Sequence, residues 1–204
     1  MSGSLFDRSG VRKYLTARER FAFARAAYRQ GGDVATFCLT LAFTGARISE
    51  VLALPRQRVD IGNGSIVFET LKQRKSGIYR AVPVPPKLVG LLRRVHDLEA
   101  INHDPNERLW KWGRTTAWKR VKAVMREAKI ADAQAMPKAT RHAFGVDAVQ
   151  HSVSLNIVQR WLGHARIETT AIYASAIGDE ERNLARRAWS SLELAIPDRT
   201  SLSN

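Results

Sequence analysis

The sequence contains little of what stabilises many small folds and metal sites. Its 204 residues include one cysteine, Cys38, which excludes a disulfide within the chain and any zinc site built from several cysteines. The five histidines are scattered and no HExxH motif occurs, so we expect no metal centre. Acidic residues are also scarce, because 33 Lys and Arg against 19 Asp and Glu give a formal net charge of +14. That imbalance argues against an ordinary metabolic enzyme.

Long apolar runs and nucleotide-binding motifs are absent too. The most apolar run, residues 37–43, is interrupted by Thr40 and is too short to span a bilayer, and the N-terminus lacks the pattern of a signal peptide. We therefore expect a soluble, cytoplasmic protein. No GxxxxGK(S/T) loop, GxGxxG turn or GxSxG elbow occurs, which leaves ATP, nicotinamide and serine-hydrolase chemistry without support. We expect no cofactor.

What the chain does contain is a globular composition with an excess of arginine. Hydrophobic residues make up 45% and charged residues 25%, which suits one folded domain of ordinary size. The basic residues are 24 Arg and 9 Lys, and the planar guanidinium group binds phosphate in a bidentate manner. These features favour a polyanionic partner, most simply nucleic acid.

The hydrophobic periodicity predicts a mainly helical α+β fold with one small early sheet. Thr16 and Glu19 resemble a capping box, and Phe21, Phe23 and Ala24 are the buried candidates of the helix that follows. Alternating segments around an Asn-Gly turn predict three strands. The predicted helices span 16–30, 33–43, 47–54, 86–99, 114–129, 140–150, 154–162 and 179–195, and the predicted strands span 58–61, 65–70 and 79–84.

Two segments in the first half place basic side chains beside a glycine. Arg47 begins a short helix with Glu50 three residues later on the same face, where the carboxylate would orient the guanidinium toward a ligand. Lys72, Arg74 and Lys75 lie at a hairpin tip that would reach into a DNA groove. Taken singly, the first is more often a plain surface ion pair, and the second is equally a solvated basic turn.

Two further segments lie in the second half. Thr140 is a candidate N-cap that would hold Arg141 and His142 at a helix start, where an anion is favoured. His164 follows Gly163 in the turn between two helices, and Tyr173 comes shortly afterwards. Taken singly, these are also a basic helix start, a loop histidine and a core tyrosine.

Together the four segments describe one reaction. Tyr173 supplies an oxygen nucleophile, which needs assistance at neutral pH. Two arginines and a histidine bind the non-bridging oxygens of a phosphate as negative charge develops. A lysine on a hairpin protonates the departing 5′-oxygen. The arginines would take the place of a metal ion.

The order and spacing of these segments resemble the tyrosine recombinases, the phage-integrase family. The similarity covers about residues 13–195. Thr-Gly-Ala-Arg-Ile-Ser-Glu, Leu-Gly-His and Thr-Thr-x-x-Tyr match the first, third and last boxes of that family, with 23 residues from Arg141 to His164 and 9 from His164 to Tyr173. The resemblance implies a mainly helical catalytic domain with a small three-stranded antiparallel sheet near its N-terminal third.

The resemblance also implies a role for each matching residue. Arg47 and Arg141 would clamp the scissile phosphate, with His164 as a further donor. Tyr173 would form a 3′-phosphotyrosyl bond and free a 5′-hydroxyl. Lys75 matches the hairpin lysine, because a proline follows eight residues later as it usually does in the family.

Four further features follow from the same comparison. Lys72 is the alternative to Lys75, and Glu50 matches an acidic residue that supports the first arginine. Lys138 occupies the place where the second box usually has histidine, and a lysine there would stabilise phosphate charge rather than act as a base for Tyr173. Outside the site, the residues expected to contact the DNA backbone rather than read bases are Lys72, Arg74, Arg80, Arg114 and Lys119.

The resemblance further predicts how the chain is organised and what it acts with. We expect an N-terminal tail over 1–12, the catalytic domain over 13–195, a flexible C-terminal tail over 196–204 and no N-terminal core-binding domain, whether by nature or by truncation. The expected partner is double-stranded DNA, bound by a monomer that forms a tetramer on paired sites. A stripe of Leu184, Ala188, Leu192 and Ile196 packs either in cis or on a neighbouring protomer.

Two other functions remain open from the sequence alone. A type IB topoisomerase-like enzyme would use the same nucleophile and the same arginines, and a non-catalytic DNA-binding regulator would share the fold. The short length and the integrase-type boxes favour recombination, and a pure DNA binder has no need of Tyr173. We expect a site-specific recombinase that acts at the nucleoid and is encoded by a prokaryote or by a phage, plasmid or transposon.

Overall fold

The computed structural model describes residues 4–70, 77–100, 104–131 and 134–175. They form a mainly helical fold with one small antiparallel sheet, as the sequence predicted. The helices are α1 (Ala17–Gln30), α2 (Gly32–Thr44), α3 (Ile48–Leu52), α4 (Pro86–His96), α5 (Arg114–Glu127), α6 (Pro137–Gln150), α7 (Leu155–Leu162) and α8 (Glu168–Ala171), the last continuing into a 3-10 turn over Ile172–Ser175. The strands are β1 (Val59–Asp60), β2 (Ser65–Glu69) and β3 (Tyr79–Pro83).

Helix α1 begins at the predicted capping box. The Thr16 hydroxyl accepts the backbone N–H of Glu19, and the Glu19 carboxylate accepts the backbone N–H of Thr16. Phe23 is fully buried, but Phe21 is 65% exposed, so its predicted burial is wrong. The helical period explains the difference, because Phe21 lies about 160° around the helix from Phe23, outside the face that α1 turns to the core.

Helix α2 is buried along most of its length and ends where the site begins. Gly31, rather than the predicted Asp33, is its N-cap residue. Gly45 closes it in the left-handed conformation, with φ at 61°. A Cβ on Gly45 would lie 2.7 Å from the Phe144 ring and 2.8 Å from the Leu162 side chain. The glycine therefore lets the end of α2 approach α6 and α7 closely.

The three strands form an antiparallel sheet in the order β1-β2-β3. Ile66 pairs with Val82 and Phe68 pairs with Arg80, and all four side chains are buried. The hairpin tip between β2 and β3, with Lys72, Arg74 and Lys75, lies outside the described residues. The predicted strands are confirmed with slightly narrower bounds.

A small hydrophobic cluster joins α6 and α7, separate from the larger core cluster that contains Phe23, Phe37 and Trp110. It consists of Leu5, Val146, Ala148, Val158, Leu162 and Tyr173. Leu5 is buried, and the chain around it is held by a bridge between Phe6 and Arg12 and by a hydrogen bond from the Lys13 N–H to the Leu5 carbonyl. Leu5 therefore packs on the domain within the segment that was predicted as an N-terminal tail, while most of residues 4–12 are exposed.

The start of α6 also differs from the prediction. The helix begins at Pro137 with Met136 as its N-cap residue, and the Thr140 hydroxyl donates to the Pro137 carbonyl within the first turn. Thr140 is thus not the N-cap. The predicted helix over 179–195 and the tail over 196–204 lie outside the described residues. Within the described ranges, no helix is long and apolar enough to cross a membrane.

Candidate active site

The Glu50 carboxylate lies between two guanidinium groups at the start of α3. Its Oε1 accepts a hydrogen bond from Nη1 of Arg47 at 2.6 Å, and its Oε2 accepts one from Nη2 of Arg80 at 2.7 Å. Oε2 also accepts the backbone N–H of Arg47 at 2.8 Å, so the carboxylate caps its own helix. The Glu50 side chain is fully buried, whereas that of Arg47 is 26% exposed. We call Arg47, Glu50 and Arg80 the Glu50 group.

Electrostatic pairing keeps Glu50 ionised despite its burial. Burial raises the pKa of a carboxyl group, but the attraction of Arg80 and the hydrogen bonds from Arg47 and Arg80 outweigh it and hold the pKa of Glu50 below its ordinary value. One buried anion thus fixes two guanidinium groups. Arg47 stays partly exposed, and its predicted orientation toward a ligand stays a prediction.

Arg80 occupies a different place from the one predicted. Its side chain is buried against the Phe68 ring, its Nε donates to the Trp161 carbonyl at 2.8 Å, and its Nη1 donates to the Thr70 hydroxyl at 3.1 Å. With Glu50 on the remaining edge, the guanidinium is enclosed by protein. Arg80 is therefore not the exposed phosphate contact that the sequence predicted, but a buried link between β3, α3 and the end of α7.

Arg141 is held by the carboxyl ends of two helices. Its Nη1 donates to the Gly45 carbonyl at 2.8 Å and its Nη2 donates to the Leu162 carbonyl at 2.7 Å. Carbonyls at helix C-termini carry partial negative charge and favour a cation. Burial, and then the nearby charge of Arg47, lower the pKa of Arg141 to about 10, so the group stays charged at neutral pH.

His164 lies in the turn after α7, as predicted. Its Nδ1 is 2.9 Å from the buried Thr170 hydroxyl, and when that hydroxyl donates to Nδ1 the ring carries its proton on Nε2. Burial, followed by the charges of Arg141 and Arg47, lowers the pKa of His164 to about 3. The ring is therefore neutral at pH 7 and able to donate one hydrogen bond.

Tyr173 is buried beside both His164 and α6. Its ring stacks on His164 with centroids 6.3 Å apart and planes at 14°. Gly145 of α6 also lies close to the tyrosine ring. A Cβ at this position would be 2.6 Å from Cζ and Cε2 of Tyr173. Burial raises the pKa of Tyr173, against the opposing charges of Arg141 and Arg47. Its exposed fraction is 1%.

His142 lies against the hydroxyl of Tyr173. Its Nδ1 is 3.3 Å from the tyrosine Oη, and the ring centroids are 5.9 Å apart. Its buried Nε2 has no hydrogen-bond partner among the described residues. Burial, and then the charges of Lys138, Arg141 and Lys13, lower the pKa of His142 to about 4. We call Tyr173, His142 and His164 the Tyr173 group.

The site carries a net positive charge that an anion would offset. Arg47, Arg80 and Arg141 carry three positive charges against the one negative charge of Glu50, and both histidines are neutral at pH 7. Mutual repulsion contributes to the lowered pKa of Arg141. A phosphate group would offset this excess and accept hydrogen bonds from the guanidinium donors that are turned toward it.

The remaining predicted residues are distributed around this centre. Lys138 is exposed in the first turn of α6, close enough for its charge to act on His142. Arg114 and Lys119 are exposed on α5, and their contact with DNA stays a prediction. Lys72, Arg74 and Lys75 lie outside the described residues, so their roles stay predictions.

Sequence reasoning missed several contacts that build the site. The alternation of Arg80 with Val82 along β3 was a signal that Arg80 points inward. A glycine inside a helical pattern, Gly145, indicated a close approach. The contacts of His142 and Leu5 with the Tyr173 region leave no local pattern, because their partners are distant in the chain.

Comparison with known proteins places this arrangement in a family. A sequence profile described as the phage integrase family matches residues 15–178. The tyrosine recombinase XerA of Pyrococcus furiosus is 28% identical over 156 residues, which cover 74% of this chain and 52% of that protein. XerD of Pasteurella multocida is 28% identical over 153 residues, covering 71% and 50%. The chain thus spans about half the length of the curated relatives it matches.

Solved structures show the same fold at lower sequence identity. The XerA recombinase superposes with a TM-score of 0.70 at 23% identity over 86% of this chain and 62% of that one. XerH site-specific recombinase bound to its difH substrate gives 0.69 at 20% identity over 90% and 59%. The catalytic domain of bacteriophage HP1 integrase gives 0.61 at 21% identity over 85% and 93%.

Proposed function

The chain belongs to the phage integrase family, and from this membership and the geometry of its site we propose that it cuts and rejoins DNA strands through a covalent bond to Tyr173. The observation that carries the proposal is a buried tyrosine whose hydroxyl contacts His142 and lies close enough to Arg141 and Arg47 for their charges to act on it, next to one compensating carboxylate. A protein that only bound DNA would have no use for a tyrosine held against charged groups in this way. The net charge of +14 supports a DNA partner.

Binding of the scissile phosphate is the first step of the proposed reaction. Arg47 presents its partly exposed guanidinium, held by Glu50, and Arg141 presents the donors that Gly45 and Leu162 leave unused. His164, with Thr170 on Nδ1, donates from Nε2. These donors are fixed before substrate arrives, so they stabilise the charge that develops on phosphorus without reorganising.

Strand cleavage follows by attack of Tyr173 on that phosphate. The tyrosine oxygen forms the bond to phosphorus as the bond to the 5′-oxygen breaks, and the 5′-oxygen takes a proton from Lys75, as proposed from the family pattern. Because Tyr173 is 1% exposed, the groups that cover its hydroxyl must open to admit the phosphate before attack. Lys138, exposed at the start of α6, stabilises phosphate charge. Rejoining reverses these steps with a second 5′-hydroxyl.

The finer proposal is a site-specific recombinase that is monomeric in solution and acts as a tetramer on paired DNA sites. XerH is a site-specific recombinase whose structure includes its DNA substrate, and XerA and XerD come from an archaeon and a bacterium. We propose by this relation that the protein acts on cytoplasmic, nucleoid DNA in a prokaryote or its mobile elements. Light scattering that found a stable tetramer without DNA would contradict the assembly.

The chemistry is tested by trapping the covalent intermediate. We would incubate the protein with a library of nicked duplexes of random sequence and recover the DNA that resists denaturation from protein. The expected result is an adduct with the wild type and none with Tyr173→Phe, which keeps the ring and removes the nucleophile. No adduct at any sequence would overturn the proposal, and relaxation of supercoiled plasmid without paired sites would favour a topoisomerase.

A further inference from the structure

The proposed reaction requires a group that removes the Tyr173 proton. A phenol ordinarily keeps its proton at pH 7, and burial raises the pKa of this one further. A lysine such as Lys138 is an ammonium group at its ordinary pKa, and an ammonium group has no lone pair with which to accept a proton. The acceptor must therefore lie elsewhere near the tyrosine oxygen.

The geometry singles out one side chain. Nδ1 of His142 lies 3.3 Å from the Tyr173 hydroxyl, within reach for the hydroxyl to donate to it. His164 is oriented differently, since its ring lies parallel to the tyrosine ring and its Nδ1 is taken by Thr170. Of the two histidines, His142 is the one placed at the reacting oxygen.

We propose that His142 is a catalytic residue that accepts the Tyr173 hydroxyl proton during cleavage and returns it during rejoining. The inference rests on the proposed function. In cleavage the tyrosine O–H bond breaks, its proton moves to His142 Nδ1, and the oxygen electron pair forms the bond to phosphorus. In rejoining the phosphotyrosyl bond breaks and the tyrosine oxygen takes the proton back.

The surroundings of His142 keep it available for this role. Lys138 and Arg141 face it from α6, Lys13 from the N-terminal segment, and Tyr173 and His164 from the region after α7. Burial and the three cations keep the imidazole neutral at pH 7, so its lone pair is available. An incoming phosphate adds negative charge beside Arg141 and thereby makes the imidazolium form less costly.

The buried Nε2 supports the same reading. If Nδ1 accepts from the tyrosine, the imidazole proton resides on Nε2, which has no hydrogen-bond partner within the described residues. A buried N–H without a partner costs stability, and such costs are characteristic of functional positions. Gly145, one turn further along α6, holds the tyrosine ring against the same helix face.

The decisive variant is His142→Asn. The asparagine Oδ1 can take the position of Nδ1 and still accept a hydrogen bond, but it does not take up a proton. We expect the rate of adduct formation to fall by about 100-fold or more, as is typical for loss of a general base. His151→Asn is the matched control at the end of the same helix, where the histidine is exposed, and it should leave the rate unchanged.

A modified substrate separates this role from that of the leaving-group acid. Replacing the bridging 5′-oxygen by sulfur creates a leaving group that departs without protonation. His142→Asn should stay slow on the sulfur substrate, whereas Lys75→Ala should recover. The residual rate of His142→Asn should also rise by about tenfold per pH unit, because hydroxide then removes the tyrosine proton. The wild type should show no such slope between pH 6 and 8.

The outcomes distinguish the role of His142 from the proposed function on which it rests. A His142→Asn protein with the rate and pH profile of the wild type would overturn the role of His142 while leaving Tyr173 chemistry intact. Failure of the wild type itself to form an adduct would overturn the proposed function. If the variant does not fold, nitrogen NMR of His142 in the wild type replaces it: a protonated Nδ1 overturns the inference, and a protonated Nε2 supports it.

Discussion

The Glu50 group and the Tyr173 group hold their side chains by opposite means. In the Glu50 group, the carboxylate forms ion pairs with Arg47 at 2.6 Å and with Arg80 at 2.7 Å. Each of these side chains is therefore stabilised in its charged form by an oppositely charged partner. In the Tyr173 group, burial keeps two histidines and a tyrosine neutral. The first arrangement fixes positive charge where a phosphate would bind, and the second keeps a proton donor and a proton acceptor ready beside it.

The comparison predicts that the Glu50 group depends mainly on charge and the Tyr173 group mainly on close packing. Removing the Glu50 charge should damage the first group most, since it leaves buried guanidinium groups without a counter-ion. Adding volume beside Tyr173 should damage the second, since Gly145 leaves no room for a larger side chain against the tyrosine ring. Acid should act on the second before the first, because the histidines of the unfolded chain bind protons near their ordinary pKa of 6.5, whereas the contribution of Glu50 is lost only below its ordinary pKa of 4.5.

The largest effect is expected for Glu50→Gln. The substitution keeps the shape but removes the charge that compensates Arg80 and Arg47, and loss of one partner of a buried ion pair costs about 3–5 kcal/mol. The free energy of unfolding, measured by urea titration, should fall by about that amount. Glu127→Gln, which breaks the exposed pair with Arg29, is the control and should change stability little. If both variants lost the same free energy of unfolding, the Glu50 group would contribute no more to stability than an exposed ion pair does.

A smaller loss is expected for Gly145→Ala. The new methyl group would meet the Tyr173 ring at 2.6 Å, and overpacking of this kind costs about 1–3 kcal/mol. Gly90→Ala in α4 is the matched control, because nothing lies within 4 Å of a Cβ there. Alanine is the better helix former, so that variant should gain up to about 1 kcal/mol. If Gly145→Ala also gained stability in thermal unfolding, the ring would not be held as tightly as described.

The smallest effect is the response to acid. The pKa values of His142 and His164 are lowered to about 4 and 3, so between pH 6.5 and about 4 the unfolded chain binds protons that the folded chain does not. Stability therefore falls as the pH is lowered through this range, on the order of 1 kcal/mol per histidine after allowance for solvent screening. The contribution of Glu50, whose pKa is lowered, is lost only below its ordinary value of 4.5.

This pH effect is measured by urea unfolding at pH 7.5 and 5.0. His164→Asn should show a smaller drop between the two pH values than the wild type, because asparagine does not titrate. His151→Asn, at an exposed site, should show the full drop. A wild type whose stability does not change between these pH values would mean that the histidines are not held neutral by burial.

Much of the fold was predictable because its signals are local. The capping box of Thr16 and Glu19, the Asn-Gly turn and Gly45 each act within a few residues, and each gave an element close to the observed bounds. The predicted site residues Arg47 and Tyr173 were found through spacing and resemblance, and the structure brings them into one electrostatic cluster. The proposed catalytic roles stay predictions.

What the sequence did not predict depends on tertiary contacts. Arg80 looked like one more surface cation in a basic chain, and its burial follows from pairing with Glu50, which lies 30 residues earlier. His142 was placed at a helix start, but its contact with Tyr173 spans 31 residues. Leu5 belonged to a segment with no recognisable pattern, and its burial depends on a surface formed by α6 and α7. Each of these contacts joins residues that are distant in the sequence, so no local sequence pattern predicts it.

The shared Glu50 carboxylate has a consequence for how such chains evolve. Two arginines from separate segments depend on one anion, so a neutral replacement of Glu50 leaves both in surplus, and loss of Arg80 leaves the anion underpaired. Either change alone is costly at a buried position. Lineages should therefore inherit Glu50 and Arg80 as a unit or exchange both together, and a drifting copy that has lost one would be expected to lose the other soon after.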